Sequence, residues 1–119
     1  TNHLYVDSLE IGVLSKTKIG ICYMDNIVDK DLLFKIKSYL DNIDIDGIID
    51  STYIRRYLSN SKLLPTINMT ERPDIATQAL LEGKVVIIVD NSPFVLILPT
   101  FFVDFFVSSC FILFSPLTH

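Results

Sequence analysis

Five consecutive β-branched residues, Val85 to Val89, leave this chain few folds to choose from. Such side chains are stiff about χ1 and suit a pleated strand better than a helix. A second apolar run, Phe94 to Leu98, comes after Asp90-Asn91-Ser92-Pro93, four residues that favour turns. Neither run has a polar face to offer to water, so the pair reads as a hairpin of strands buried on both faces. Such a hairpin has to be covered from two sides.

Residues earlier in the chain supply the cover. In Lys18 to Met24, Ile19, Ile21 and Tyr23 alternate with Gly20 and Cys22, the period of a strand. From Asp29 onward Leu33, Ile36, Leu40 and Ile43 recur at helical spacing while Lys30, Lys35, Lys37 and Asp41 point elsewhere, and Asp29 is placed to cap the start. Asp50 and Ser51 offer a second cap before Ile54 and Leu58, with Arg55 and Arg56 on the other face. A third helix begins at Pro73, whose missing N–H is not needed in a first turn, buries Ile75, Ala76, Ala79 and Leu80, and closes at Gly83. The expected class is α/β: a small mixed β-sheet flanked by helices, with the buried hairpin near the C-terminal part.

At 119 residues and 50% apolar composition there is material for one core. Ten basic against fourteen acidic residues give a net charge of -4, the wrong sign for a phosphate backbone, so nucleic acid is not an expected partner. A mean hydropathy of +0.43 is too high for a disordered chain. Every Lys and Arg lies between Lys16 and Lys84, whereas seven of the eight phenylalanines lie after Val85. Phe94 to Phe114 has the length of a membrane span, but Pro99, Asp104 and Ser108-Ser109 interrupt it and no basic residue flanks it. The preferred reading is a core strand at Phe94 to Leu98, then an amphipathic segment whose Phe101, Phe102, Phe105 and Phe106 cover the sheet or face a membrane or partner. Cys22 and Cys110 lack metal-ligand spacing and point to a reducing compartment. Thr1 opens the chain and Asp7 and Glu10 stand where a secretory leader is basic, so no leader is expected and the chain reads as a fragment.

Catalytic patterns are missing. His3 and His119 are the only histidines and both lie near chain ends, which removes the base that serine and cysteine nucleophiles need. Gly12, Gly20, Gly47 and Gly83 are too scattered for a phosphate loop. No enzyme activity and no cofactor are expected. Two polar clusters remain. With Gly47 as loop position 6, Asn42, Asp44 and Asp46 fall at calcium-loop positions 1, 3 and 5, with Asp50 beyond, but Tyr53 occupies position 12, where a bidentate Glu belongs. The plainer reading is a solvated turn with Gly47 at positive φ. Glu71, Arg72, Asp74, Asp90 and Ser92 form the second cluster, near strand ends where α/β sheets bind ligands or partners. Its plainer reading is a helix start in which Asp74 suits the dipole and Arg72 pairs with Asp90.

Several segments taken together carry a resemblance. Ser15-Lys16-Thr17-Lys18, Ile43-Asp44-Ile45-Asp46-Gly47-Ile48-Ile49-Asp50-Ser51, Thr70-Glu71-Arg72-Pro73-Asp74, Ala79-Leu80-Leu81-Glu82-Gly83-Lys84-Val85 and Ser92-Pro93-Phe94-Val95-Leu96 are similar, in order, to the A subunits of GerA-type spore germination receptors. Asn91 and Thr52 stand where that family commonly has Gly, and residues from Val107 onward depart from its pattern. The resemblance implies that residues 1–106 are the distal part of the subunit's hydrophilic amino-terminal region and 107–119 an apolar tail. It implies a non-enzymatic module acting with B and C subunits and other A subunits. Its implied place is the spore inner membrane, on the cytoplasmic (core) side and joined to the membrane through the rest of the subunit. The alternative is a small α/β domain that binds a metabolite or Ca²⁺. Calorimetric titration with Ca²⁺ separates the two: without a position 12 Glu, any dissociation constant is expected to be weaker than about 10⁻⁵ M, the upper edge of the sensor range.

Overall fold

The computed structural model of the protein describes residues 3–45, 47–60 and 66–99. Phe101 to Phe106 and the tail 107–119 lie outside the described residues. The elements run β1 (Leu4–Ile11), β2 (Thr17–Met24), α1 (Lys30–Asp41), α2 (Ser51–Asn60), β3 (Asn68–Thr70), α3 (Pro73–Leu81), β4 (Val86–Val89) and β5 (Val95–Ile97). The strands form one five-stranded sheet in the order β1-β2-β4-β5-β3. The α/β architecture is the expected one, but the sheet is not mixed: all four pairings are antiparallel. β3 and β4 run the same way and would pair in parallel if adjacent, but β5 lies between them.

Alternation along the strands sorts side chains into two layers. Ile19, Ile21 and Tyr23 of β2, Ile87 and Val89 of β4, and Leu96 and Leu98 at β5 pack with Leu32, Leu33, Ile36 and Leu40 of α1 and with Ile54 and Leu58 of α2. On the opposite face Cys22, Val86 and Ile97 meet Ala79 of α3, with Ala76, Leu80 and Val95 around them. The sheet therefore lies between α1 and α2 on one side and α3 on the other. A nine-residue helix is only about 14 Å long and cannot roof five strands. For that reason the expected burial on both faces is incomplete: Ile88 is 45% exposed beside α3, and Val6, whose Cγ1 lies over Gly20, is exposed too. The β-branched character of Ile88 serves the strand rather than the core.

Local chemistry ends the elements where the sequence indicates. The Asp29 carboxylate accepts from the amides of Asp31 and Leu32 at 2.9 and 3.2 Å and caps α1. Pro73 sits in the first turn of α3, and Gly83 closes that helix at φ 86°. A side chain on Gly83 would also meet the Ile27 carbonyl oxygen at 3.1 Å, so two constraints hold glycine there. Around Gly47, in contrast, nothing lies within 4 Å of where its Cβ would be, and the turn expected there runs through Asp46, which lies outside the described residues.

Among the described residues Asn91 is the non-glycine one at positive φ, 64°, in the turn between β4 and β5. Left-handed backbone costs most L-residues about 1–2 kcal/mol, and Asn tolerates it better than most. Asn91→Gly is accordingly expected to match or exceed the native chain in stability, and Asn91→Val to lose about 1–2 kcal/mol in chemical denaturation. Equal stability of the two variants would show that the turn does not demand this geometry.

Candidate functional site

Three loops separated in sequence meet at one end of the sheet, where β1 ends, β2 begins and β4 turns into β5. Ser15, Lys16 and Thr17 from the first loop, Gly47 to Asp50 from the second, and Asp90 with Asn91 from the third line an open cleft of about 350 Å³. One ammonium, two carboxylates, two hydroxyls and an amide face the same space. Ser51 ties the second loop to the third. It is the buried polar side chain among the described residues, 1% exposed, and its hydroxyl donates to the Phe94 carbonyl at 2.6 Å. With that proton committed, the Ser92 hydroxyl donates to Ser51 Oγ at 2.8 Å. Asp50 stands beside it as a cap, its Oδ1 accepting from the Tyr53 amide at 2.8 Å.

The five residues of the second polar cluster are divided between two places. Asp90 and Ser92 belong to the loop cluster around the cleft. Arg72 pairs with Asp74 at 2.9 Å, both side chains about two-thirds exposed, so the expected pairing of Arg72 with Asp90 is not formed. Asp74 is two residues away on the same helix start, whereas β5 separates the strand ends that carry Arg72 and Asp90. Glu71 is exposed. Asp74 also lines a groove of about 690 Å³ between α3 and β3, with Thr70 and Gln78. Of the calcium candidates, Asp44 is exposed, Asp50 is engaged as a cap and Asp46 lies outside the described residues. Among the described residues no three His, Cys, Asp or Glu side chains are grouped to hold a metal.

A further polar cluster is not legible in the sequence. The Tyr23 hydroxyl donates to Asp7 Oδ2 at 2.9 Å, Lys37 forms an ion pair with the same oxygen, and the ammonium lies 5.6 Å from the Tyr23 ring centre. The Lys37 hydrogen bond holds the Asp7 carboxyl below its ordinary value. Burial, then the hydrogen bond to Asp7, pushes the Tyr23 phenol up to about 12. The three residues lie on β1, β2 and α1, so no local spacing announces them. Burial also raises the Cys22 thiol, which keeps it protonated and unreactive.

Helices on both faces of a five-stranded antiparallel sheet, with loops gathered at one end, define a small α/β domain. The same architecture occurs in the crystal structure of the N-terminal domain of the A subunit of the Bacillus megaterium spore germinant receptor GerK3. That structure is 39% identical in sequence and aligns with a TM-score of 0.61 over 86% of this chain and 82% of that one. The Bacillus/Clostridium GerA spore germination protein family matches residues 1–110, and this chain belongs to it. Spore germination protein KA of Bacillus subtilis (strain 168) is 42% identical over 108 residues, 89% of this chain and 20% of that protein. Spore germination protein GerIA of Bacillus cereus is 38% identical over 105 residues, 88% of this chain and 16% of that protein. The chain spans a fifth or less of the length of these relatives. No helix among the described residues is long and apolar enough to cross a membrane.

The hydroxyl of Ser51 joins α2 to the hairpin turn, so its removal leaves the Phe94 carbonyl without that donor. Ser51→Ala is expected to cost about 1–3 kcal/mol in denaturant titration. Ser92→Ala is expected to cost less, because Ser51 keeps its bond to Phe94. The reverse order of the two would mean that Ser92, not Ser51, holds the turn.

Proposed function

We propose that this chain is a non-enzymatic module of a nutrient germinant receptor that takes part in triggering spore germination. The observation that carries the proposal is the match, at 39% identity, to the N-terminal domain of a germinant receptor A subunit. In this reading the domain acts with the B and C subunits and with other A subunits. It lies on the cytoplasmic (core) side of the spore inner membrane and couples nutrient sensing to the membrane complex through subunit contacts. Two features support a contact role. The loop cluster presents charged and hydroxyl groups in an open cleft rather than a closed pocket. The Arg72–Asp74 pair presents a guanidinium outward at the start of α3, where its remaining donors are available to a partner carboxylate.

Exposed ion pairs contribute about 0–1 kcal/mol, so Arg72→Ala should change the melting temperature of the chain little. Introduced into the complete receptor, it is expected to slow nutrient-triggered germination clearly, with Arg72→Lys intermediate because the planar fork of N–H donors is lost while the charge stays. Spores carrying Arg72→Ala that germinate at the normal rate, or a variant that no longer folds, would remove Arg72 from the coupling role.

A further inference from the structure

β1 is an edge of the sheet and has no strand neighbour on one side among the described residues. Which of its backbone groups face that side follows from one bond. The Asp25 amide donates to the His3 carbonyl at 2.9 Å, and these two residues continue the register of β1 on β2. Opposed residues in an antiparallel pair alternate between bonded and non-bonded. Tyr5, Asp7 and Leu9 therefore turn their N–H and C=O groups toward β2, whereas Leu4, Val6, Ser8 and Glu10 turn theirs to the free edge. The bond from the Asp90 amide to the Lys18 carbonyl, on the other side of β2, gives the same alternation.

Long edges are commonly blunted by Lys, Pro, a bulge or an inward-pointing charge. β1 contains no Lys or Pro and pairs with β2 residue for residue, without a bulge. Its inward charge, Asp7, is neutralised by the Lys37 ion pair and by the hydrogen bond from the Tyr23 hydroxyl. The opposite edge strand, β3, is only three residues long. On β1 the consecutive residues Leu4, Tyr5 and Val6 are 55%, 47% and 55% exposed. Successive side chains leave a strand on opposite faces, so a helix laid on one face meets either Leu4 and Val6 or Tyr5. A strand added at the edge meets all three and takes up the outward N–H and C=O groups as well. Leu14 and Ile48 at the loop end are more exposed, but they stand on separate loops and offer no row of backbone groups that specifies a partner.

We propose that β1 pairs antiparallel with β1 of a second copy of this chain, about a two-fold axis through Val6. The strand supplies its own match. In this register Val6 faces Val6 of the second copy and Leu4 faces Ser8 of the second copy, so the outward N–H and C=O groups of all three residues are taken up. Both Leu4 and both Val6 side chains gather into one apolar cluster on the α3 face of the joined sheets. An axis through Tyr5 would leave the Ser8 groups unpaired, and one through Asp7 would set two carboxylates opposite each other. This contact between copies does not rest on the germination role, since it is measured on the chain alone.

Light scattering on the full chain is expected to give a mass that rises with concentration from one copy to two, since one partner uses up the edge. Ser8→Pro removes an N–H that faces the edge and no bond to β2, and Val6→Lys places a charge at the axis. Both variants are expected to stay at the mass of one copy and to keep their cooperative thermal transition, while Leu14→Lys at the loop end associates as the native chain does. Should Ser8→Pro fail to fold, Val6→Lys carries the test. Amide hydrogen exchange reads the strand itself. Protection of the Val6 and Ser8 amides is expected at high concentration and is lost on dilution, whereas the Tyr5 and Asp7 amides, bonded to β2, stay protected throughout. A single copy at every concentration would overturn the proposal. So would a dimer that survives Val6→Lys, one that Leu14→Lys abolishes, or one in which the Val6 and Ser8 amides exchange freely.

Discussion

The pairing of β2 with β4 is the constraint on which the other contacts rest. Ile19 lies opposite Val89 and Ile21 opposite Ile87, so both strands send these residues to α1 and α2 and the residues between them to α3. A slip of one residue would exchange the two sets and present Cys22 and Gly20, in place of Ile21 and Ile19, to the longer helices. The volumes on the two sides are unequal, which makes the register unambiguous. Large branched side chains fill the α1 and α2 side, whereas α3 packs through Ala76 and Ala79 close against the strands. The hairpin partner β5 and the edge strand β3 inherit their register from this central pair.

This arrangement explains which elements are legible in the sequence. β2, β4, β5 and the three helices have strong local periodicity or clear caps, and all are readable within a residue or two at their ends. β1 is not. Its inward residues include Tyr5 and Asp7 as well as Leu9 and Ile11, while Leu4 and Val6 point to the open face, so apolar and polar residues do not alternate along it. β3 is three residues long and exists because β5 needs a neighbour. Of the polar residues singled out, local chemistry places Asp29, Asp50 and Asp74 well. The expected pairing of Arg72 fails because a carboxylate two residues away wins over one two strands away. The Asp7, Tyr23 and Lys37 cluster depends on a strand that the sequence conceals.

The segments that resemble the germination receptor family are, in the structure, mostly the ends of elements. Ser15 to Thr17, Gly47 to Asp50 and Asp90 with Asn91 border one cleft, and Ser51 and Ser92 lock two of those loops together. Turn geometry explains several of these positions without any ligand: Asn91 supplies positive φ, Gly83 admits the Ile27 carbonyl and Pro73 begins a helix. The same turns hold charged groups at a surface on a rigid scaffold, the arrangement loops use for contact. Structural necessity and function therefore act on the same short stretches, and a shared pattern of this kind does not separate them.

The first described strand and the last begin and end at the same end of the sheet, with Leu4 and Leu98 about 14 Å apart in strand spacings. A pull applied between these two points runs across the strands rather than along them. Each ladder would then be loaded at its last hydrogen bond, and the bonds would break in succession instead of resisting together. A domain hung this way is a weak link under tension. It can be tilted or pressed against a neighbour as a rigid block through its faces and loops, but it is poorly built to carry a mechanical strain from one end of a chain to the other.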